Sequence, residues 1–121
     1  MGNGKNETKR NDDARVRKEF NRLKKIFKNM PPNQFVVVQG LIVQAARLRV
    51  SLDDLWADIE ENGRTEMFSQ SADADPYQRE RPAAKQFATL DKNYQTIMKQ
   101  LTDLCPASKA KSKLHEMMRD G

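Results

Sequence analysis

The chain has one cysteine in 121 residues, Cys105, so neither an intrachain disulfide nor a cysteine-based zinc site is open to it. Between Leu104 and Pro106, Cys105 reads as a small buried hydrophobe, and a lone structural thiol predicts a cytosolic protein. Histidine is as scarce. His115 stands near the end of the chain, on a helix expected to be exposed, with no sign of the partner and pocket a general base needs. No glycine-rich phosphate loop occurs, and Asp73 and Asp75 lack the glycine and closing glutamate of a calcium loop. No metal site and no cofactor is therefore predicted. No uninterrupted run of about 18 apolar residues is present, which predicts no membrane span. The basic N-terminus has no apolar stretch behind it and so does not read as a secretory signal. Asn6 stands where N-myristoylation wants serine or threonine. These absences predict a binding or assembly protein rather than an enzyme.

What is present is charge, and it is unevenly placed. Of the chain, 37% is hydrophobic and 32% charged, with a net charge of +5. Residues 1–28 carry ten Lys/Arg against four Asp/Glu, net +6. Residues 29–104 carry eight against eleven, net −3, and residues 105–121 four against two, net +2. A mildly acidic body with two basic ends fits a polyanionic partner such as DNA, RNA or an acidic membrane surface.

The periodicity is helical throughout. Residues 1–11 are polar and aperiodic and read as a disordered basic arm carrying Lys9 and Arg10. Residues 12–30 read as an amphipathic helix, with Asp12 or Asp13 at its cap. Val16, Phe20, Leu23 and Phe27, widened by Ile26 and Met30, form its apolar stripe. Arg15, Arg17, Lys18, Arg22, Lys24, Lys25 and Lys28 fall on the opposite half, with Asp12, Asp13 and Glu19 flanking the stripe. Such sorting fits a polyanion-binding face, and also an ordinary solvated one.

Pro31-Pro32 ends this helix, and Asn33 is expected to cap the next, over roughly 33–61. Phe35, Val38, Leu41, Ile42, Ala45, Leu48, Leu52, Trp56 and Ile59 hold a three-to-four spacing through it, which makes it about 43 Å long at 1.5 Å per residue. Ser51 is a potential interruption. Val36 and Val37 make its first turns apolar on more than one side, which calls for more than one neighbour. Trp56 is expected in the core. Arg49 falls inside the apolar band. It either snorkels to water or pairs across a helix or subunit contact, with Asp91 as a possible partner. Gly63 suits a left-handed C-cap. Residues 62–81 read as a loop, in which Thr65–Phe68 has the character of a short strand or hairpin arm.

Pro82 suits the first position of a helix over 82–104. Phe87, Leu90, Tyr94, Ile97, Leu101 and Leu104 define a narrow seam on it, with Met98 alongside. Residues 33–104 are thus expected to form an antiparallel helical hairpin that supplies the core and the surface for self-association. Phe35, Val38, Leu41, Ile42, Arg49, Trp56, Leu90, Tyr94, Ile97 and Leu101 are its candidate residues. After Pro106 a short basic helix is expected within 105–121, carrying Lys109, Lys111 and Lys113. The predicted fold class is all-α.

Two stretches carry a resemblance: Arg81-Pro82-Ala83, and Leu104-Cys105-Pro106-Ala107-Ser108-Lys109-Ala110-Lys111. With the spaced leucines between them, residues 79–114 resemble the small terminase subunits of tailed double-stranded DNA bacteriophages. The similar branch reads Leu-Gly-Leu-Thr-Pro-Ala-Ser-Arg before a final basic-leucine stretch. Here Asp103 replaces the glycine, Cys105 the threonine and Lys109 the arginine, and Ser112-Lys113 are inserted before Leu114.

The resemblance implies a non-catalytic, ring-forming protein of the host bacterial cytoplasm. Such a protein would bind the packaging site on viral DNA and recruit and regulate the large ATPase-nuclease subunit. Its implied partners are double-stranded phage DNA, the large subunit and further copies of itself, with no membrane. Lys9, Arg10, Arg15, Arg17, Lys18, Arg22, Lys24, Lys25 and Lys28 are then the expected DNA contacts. Lys109, Lys111 and Lys113 would meet either DNA or the large subunit. The residues also admit a small dimeric helix-turn-helix regulator, or a helical adaptor that binds protein and no nucleic acid.

Overall fold

The computed structural model is mainly helical, and it describes residues 3–105 and 114–118, with side chains from residue 10 onward. Helix α1 spans Asn3–Lys24 and runs into a 3-10 turn, Lys25–Phe27. Helix α2 spans Pro32–Asn62, strands β1 and β2 span Thr65–Phe68 and Tyr77–Glu80, and helix α3 spans Pro82–Leu104. The expected disordered arm over 1–11 is therefore corrected from Asn3 onward, where the chain is helical. Extending a helix already formed adds one hydrogen bond per residue fixed, which is far easier than nucleating a new one. Asp12 and Asp13 consequently lie inside α1 rather than at its cap. The helix also ends earlier than expected, because its last turn tightens into the 3-10 geometry that brings Phe27 into the core.

Pro31-Pro32 sets the start of α2. Pro31 is the cap residue, with φ −55° and ψ 142°, and Pro32 occupies the first turn, where a missing N–H costs nothing. The Pro31 carbonyl accepts from Gln34 and Phe35, so Asn33 is not the cap. The helix continues through Val50-Ser51 without interruption, and its 31 residues make it about 46 Å long. It ends at Gly63, whose N–H donates to the Ile59 carbonyl at 2.7 Å. Gly63 has φ 84° and ψ −179°, so the expected positive φ is present. Its ψ is not that of the left-handed helical region but of an extended region open essentially to glycine alone.

Helix α2 packs against both α1 and α3, most extensively against α3. Val38, Ile42, Ala45 and Leu52 of α2 join Leu23 and Phe27 from the α1 segment and Tyr94, Met98 and Leu101 of α3 in one core. A second, smaller cluster joins Ile59 to Ala83 and Ala84 at the far end. No uninterrupted apolar run of about 18 residues is present, but α2 contains one 18-residue window that by length and composition alone is apolar enough to cross a bilayer. About a third of that window is buried inside the fold (33%). Packing between two neighbours accounts for that buried third. Val36 and Val37 are each 69% exposed.

The seam of α3 is shifted from the expected one. The fully buried positions are Tyr94, Met98 and Leu101, continued by Cys105, while Leu90 and Ile97 are half-buried and Leu104 is exposed. Trp56 is also corrected. It is 40% exposed, on the rim, with its ring 5.5 Å from that of Phe87 and the Arg64 guanidinium 5.5 Å from its centre. Leu114 is buried in the main core, and residues 114–118 are helical. The expected helix restart at Pro106-Ala107 lies outside the described residues.

The loop over 62–81 contains an antiparallel hairpin, β1 paired to β2 with Thr65 opposite Glu80 and Phe68 opposite Tyr77. All-α is thus refined to mainly helical with one small sheet. The Arg79 guanidinium sits 3.5 Å from the Phe68 ring centre and bonds Glu66, so the hairpin is held by its own cross-strand pairs. Its base is clamped by Arg81. The Arg81 backbone N–H donates to the Arg64 carbonyl, and its guanidinium donates to the Gly63 carbonyl and to both oxygens of Asp58.

Two expectations follow. Ile42→Ala and Leu101→Ala should each lower stability by about 2–5 kcal/mol in urea denaturation, and Leu90→Ala and Ile97→Ala by less, since those side chains are only half-buried. Asn62 and then Arg81 hold the Asp58 carboxyl below its ordinary value. This stabilisation is complete above the unfolded-chain pKa of about 3.9 and is lost as pH falls through the lower folded value. Asp58→Asn should therefore melt below wild type at neutral pH and converge with it in strong acid. A melting gap independent of pH would rule out the carboxylate as its source.

Candidate nucleic-acid interface

Helix α1 carries its cations in two environments. On the flank that faces α2, Arg15 bonds Asp54 at 2.9 Å and Asp12 at 3.4 Å. The bond to Asp54 is also the main reason that the Arg15 pKa is raised above its ordinary value. Arg22 is paired bidentately with Glu19 one turn before it. Arg15 and Arg22 are therefore corrected from free phosphate ligands to partly neutralised ones. The pair formed by Arg15 and Asp54 is exposed, so it ties α1 to α2 with about 0–1 kcal/mol.

The other flank is different. Arg10, Arg17, Lys18, Lys25 and Lys28 are exposed and, among the described residues, have no ion-pair partner. Arg10, Arg17 and Lys24 recur every seven residues and so lie along one line of the helix, about 10 Å apart. Lys18 and Lys25 form a parallel line beside it. Cations with no ion-pair partner among the described residues, spaced over about 23 Å of helix from Arg10 to Lys25 with exposed Asp13 beside them, give a positive stripe of the kind a phosphate backbone binds. The side chain of Lys9, and all of Lys109, Lys111 and Lys113, lie outside the described residues.

At the C-terminal end of α1 the stripe meets an open groove of about 720 Å³. Lys24, Lys25 and Lys28 rim it, and Phe27, Met30 and Phe35 supply its apolar floor. The Lys24 ammonium lies 5.8 Å from the centre of the Phe35 ring. Sequence periodicity places these side chains on α1 and α2 separately. The groove exists only because the 3-10 turn folds Phe27 and Met30 back toward Phe35.

A second cavity, of about 510 Å³, lies where α1, α2 and α3 meet. Glu19, Arg22, Arg49 and Asp53 line it beside Trp56 and Phe87, so its charges are balanced. Arg49 pairs there with Asp53 at 3.0 Å, one turn along its own helix, and not with Asp91. Its guanidinium packs 5.0 Å from the centre of the Tyr94 ring, with only 12% of the side chain exposed. Nη1 of Arg49 is buried with no hydrogen-bond partner. Burial raises the Tyr94 hydroxyl above its ordinary pKa, and the charge of Arg49 pulls it the other way. Arg49 thus reaches α3 at the Tyr94 ring, while its ion pair is with Asp53 of its own helix and not with Asp91.

No protein-family model, curated protein or solved structure matches this chain.

The pairing pattern separates the cations by role. Arg10→Ala/Arg17→Ala/Lys18→Ala should flatten the slope of log K against log salt for duplex DNA by about 2 to 3, at about 0.9 for each phosphate no longer neutralised. Arg15→Ala/Arg22→Ala should change it less. Fluorescence anisotropy across a salt series reads both, and equal effects would mean that the ion pairs open on binding.

Proposed function

We propose that this chain is the DNA-binding, non-catalytic subunit of a viral genome-packaging machine, the role of a small terminase. The observation that carries the proposal is the exposed stripe of Arg10, Arg17, Lys18, Lys25 and Lys28, which has no ion-pair partner among the described residues. The sequence resemblance over residues 79–114 supports the packaging assignment in particular. In this reading the stripe holds the phosphate backbone of double-stranded phage DNA. The helical body carries self-association into a ring, and a large ATPase-nuclease subunit supplies the chemistry in the host bacterial cytoplasm.

The apolar surface left over by the fold supports self-association. Val36 and Val37 stand exposed at the start of α2, and Leu104 at the end of α3. The row formed by Leu90, Ile97 and Leu104, at intervals of seven residues, runs from the edge of the core, where Leu90 and Ile97 are half-buried, to the exposed Leu104. A helix-turn-helix regulator is less well supported. The second helix of such a unit must lie free in the major groove, whereas Val38, Ile42, Ala45 and Leu52 bury α2 between its neighbours.

Native mass by light scattering, combined with duplex binding across a salt series, tests the proposal. A closed species well above a tetramer that binds duplex with a steep salt dependence is the expected result. A dimer with the same salt dependence would favour the regulator. Binding to no DNA at low salt would leave a protein-binding adaptor.

A further inference from the structure

The two ends of α2 carry complementary devices. At its N-terminal end lies the groove rimmed by Lys24, Lys25 and Lys28 over Phe27, Met30 and Phe35. At its C-terminal end, about 46 Å away along the helix, the β1–β2 hairpin projects. The hairpin is a self-contained arm. Its strands pack on each other through Phe68, Tyr77, Arg79 and Glu66, and its packing against the helices is slight.

The arm is acidic and carries an apolar anchor. Strand register places Thr65, Met67, Gln78 and Glu80 on one face, and Met67 is 67% exposed there. Asp73 and Asp75 lie in the connection between the strands, and Asp73, Asp75 and Glu80 are exposed, with no ion-pair partner among the described residues. A phosphate backbone would satisfy the lysine rim of the groove but leave its apolar floor uncovered. An acidic segment that presents a flexible thioether satisfies both.

We propose that the groove of one subunit receives the hairpin arm of the next, with Met67 on the apolar floor and Asp73, Asp75 and Glu80 against Lys24, Lys25 and Lys28. The occupant is a second copy of this chain, and the proposal rests on the self-assembling reading above. Because arm and groove lie at opposite ends of α2, no subunit can fill its own groove. A parallel pairing leaves one arm and one groove unused, which is a heterologous, head-to-tail interface, whereas an antiparallel pair would fill both and stop at a dimer. The head-to-tail interface propagates and closes into a ring when its rotation permits. In this arrangement Lys25 and Lys28 serve the arm rather than the phosphate backbone, and Arg10, Arg17 and Lys18 of the stripe remain for DNA.

A charge swap tests this. Lys24→Glu/Lys25→Glu/Lys28→Glu makes the groove acidic, and Asp73→Lys/Asp75→Lys/Glu80→Lys makes the arm basic. All six side chains are exposed, so circular dichroism should report an unchanged helical fold for both variants. Each variant alone should fall to monomer in light scattering, because its arm and groove then have the same sign. An equimolar mixture should recover the wild-type mass, since each groove then faces an arm of opposite sign on the other variant. A chain carrying all six changes should assemble by itself.

If both variants keep the wild-type mass, or if mixing restores nothing, the arm-and-groove contact is wrong while a ring built another way remains. A wild-type chain that is monomeric at every concentration overturns the contact and the ring together. DNA affinity of the Arg10→Ala/Arg17→Ala/Lys18→Ala variant, whose arm and groove are intact, reads the packaging assignment separately.

Discussion

The burial of Val38, Ile42, Ala45 and Leu52 of α2 between α1 and α3 is the contact on which the other features depend. An amphipathic helix needs one neighbour, but α2 is apolar on two sides and needs two. Helix α1 covers one side with Leu23 and Phe27, and α3 covers the other with Tyr94, Met98 and Leu101. Each then turns its own polar half outward. The exposed stripe of cations on α1 is thus a by-product of the way α1 must face α2. The same requirement makes α2 long enough to separate two distinct surfaces at its ends.

Charge is organised by the same packing. Cations on the flank of α1 that faces α2 find carboxylates, as Arg15 finds Asp54, while those on the outer flank find none among the described residues. Arg49 shows the cost of the arrangement. It lies mostly buried over the Tyr94 ring, with Nη1 unpartnered and, among the described residues, the exposed Asp53 as its ion-pair partner. Aromatic contact and one ion pair offset part of the desolvation. The result is a charge-balanced cavity beside a strongly positive outer face.

The Arg81 clamp connects the fold to the projecting arm. One side chain and one backbone amide tie the end of α2, the start of β1 and the start of α3 together through Asp58, Gly63 and Arg64. The hairpin therefore leaves the bundle from a fixed base even though it hardly touches the helices. Gly63 permits this, because its φ of 84° with an extended ψ redirects the chain in a way that a side chain would resist.

Much of the secondary structure was legible in the sequence because its signals are local. Pro31-Pro32, Gly63 and Pro82 punctuate the chain, and three-to-four spacing marks the apolar stripes. The sorted basic face of α1 was legible for the same reason. Other features needed the assembled fold. Trp56 keeps helical spacing with the core yet sits on the rim, where it meets Phe87 and Arg64 instead of the buried cluster. The buried line on α3 runs to Cys105 rather than Leu104, because how a helix is rotated is set by its neighbour and not by its own sequence. Arg49 meets Asp53 instead of Asp91, and Arg15 meets Asp54, for reasons of relative helix position that no spacing encodes. The sequence by itself determined the helices, their breaks and the segregation of charge, because those depend on residues within a few positions of one another. The tertiary structure decided which cations stay unpaired, where the groove opens and how far it lies from the arm, because those depend on side chains that only packing brings together.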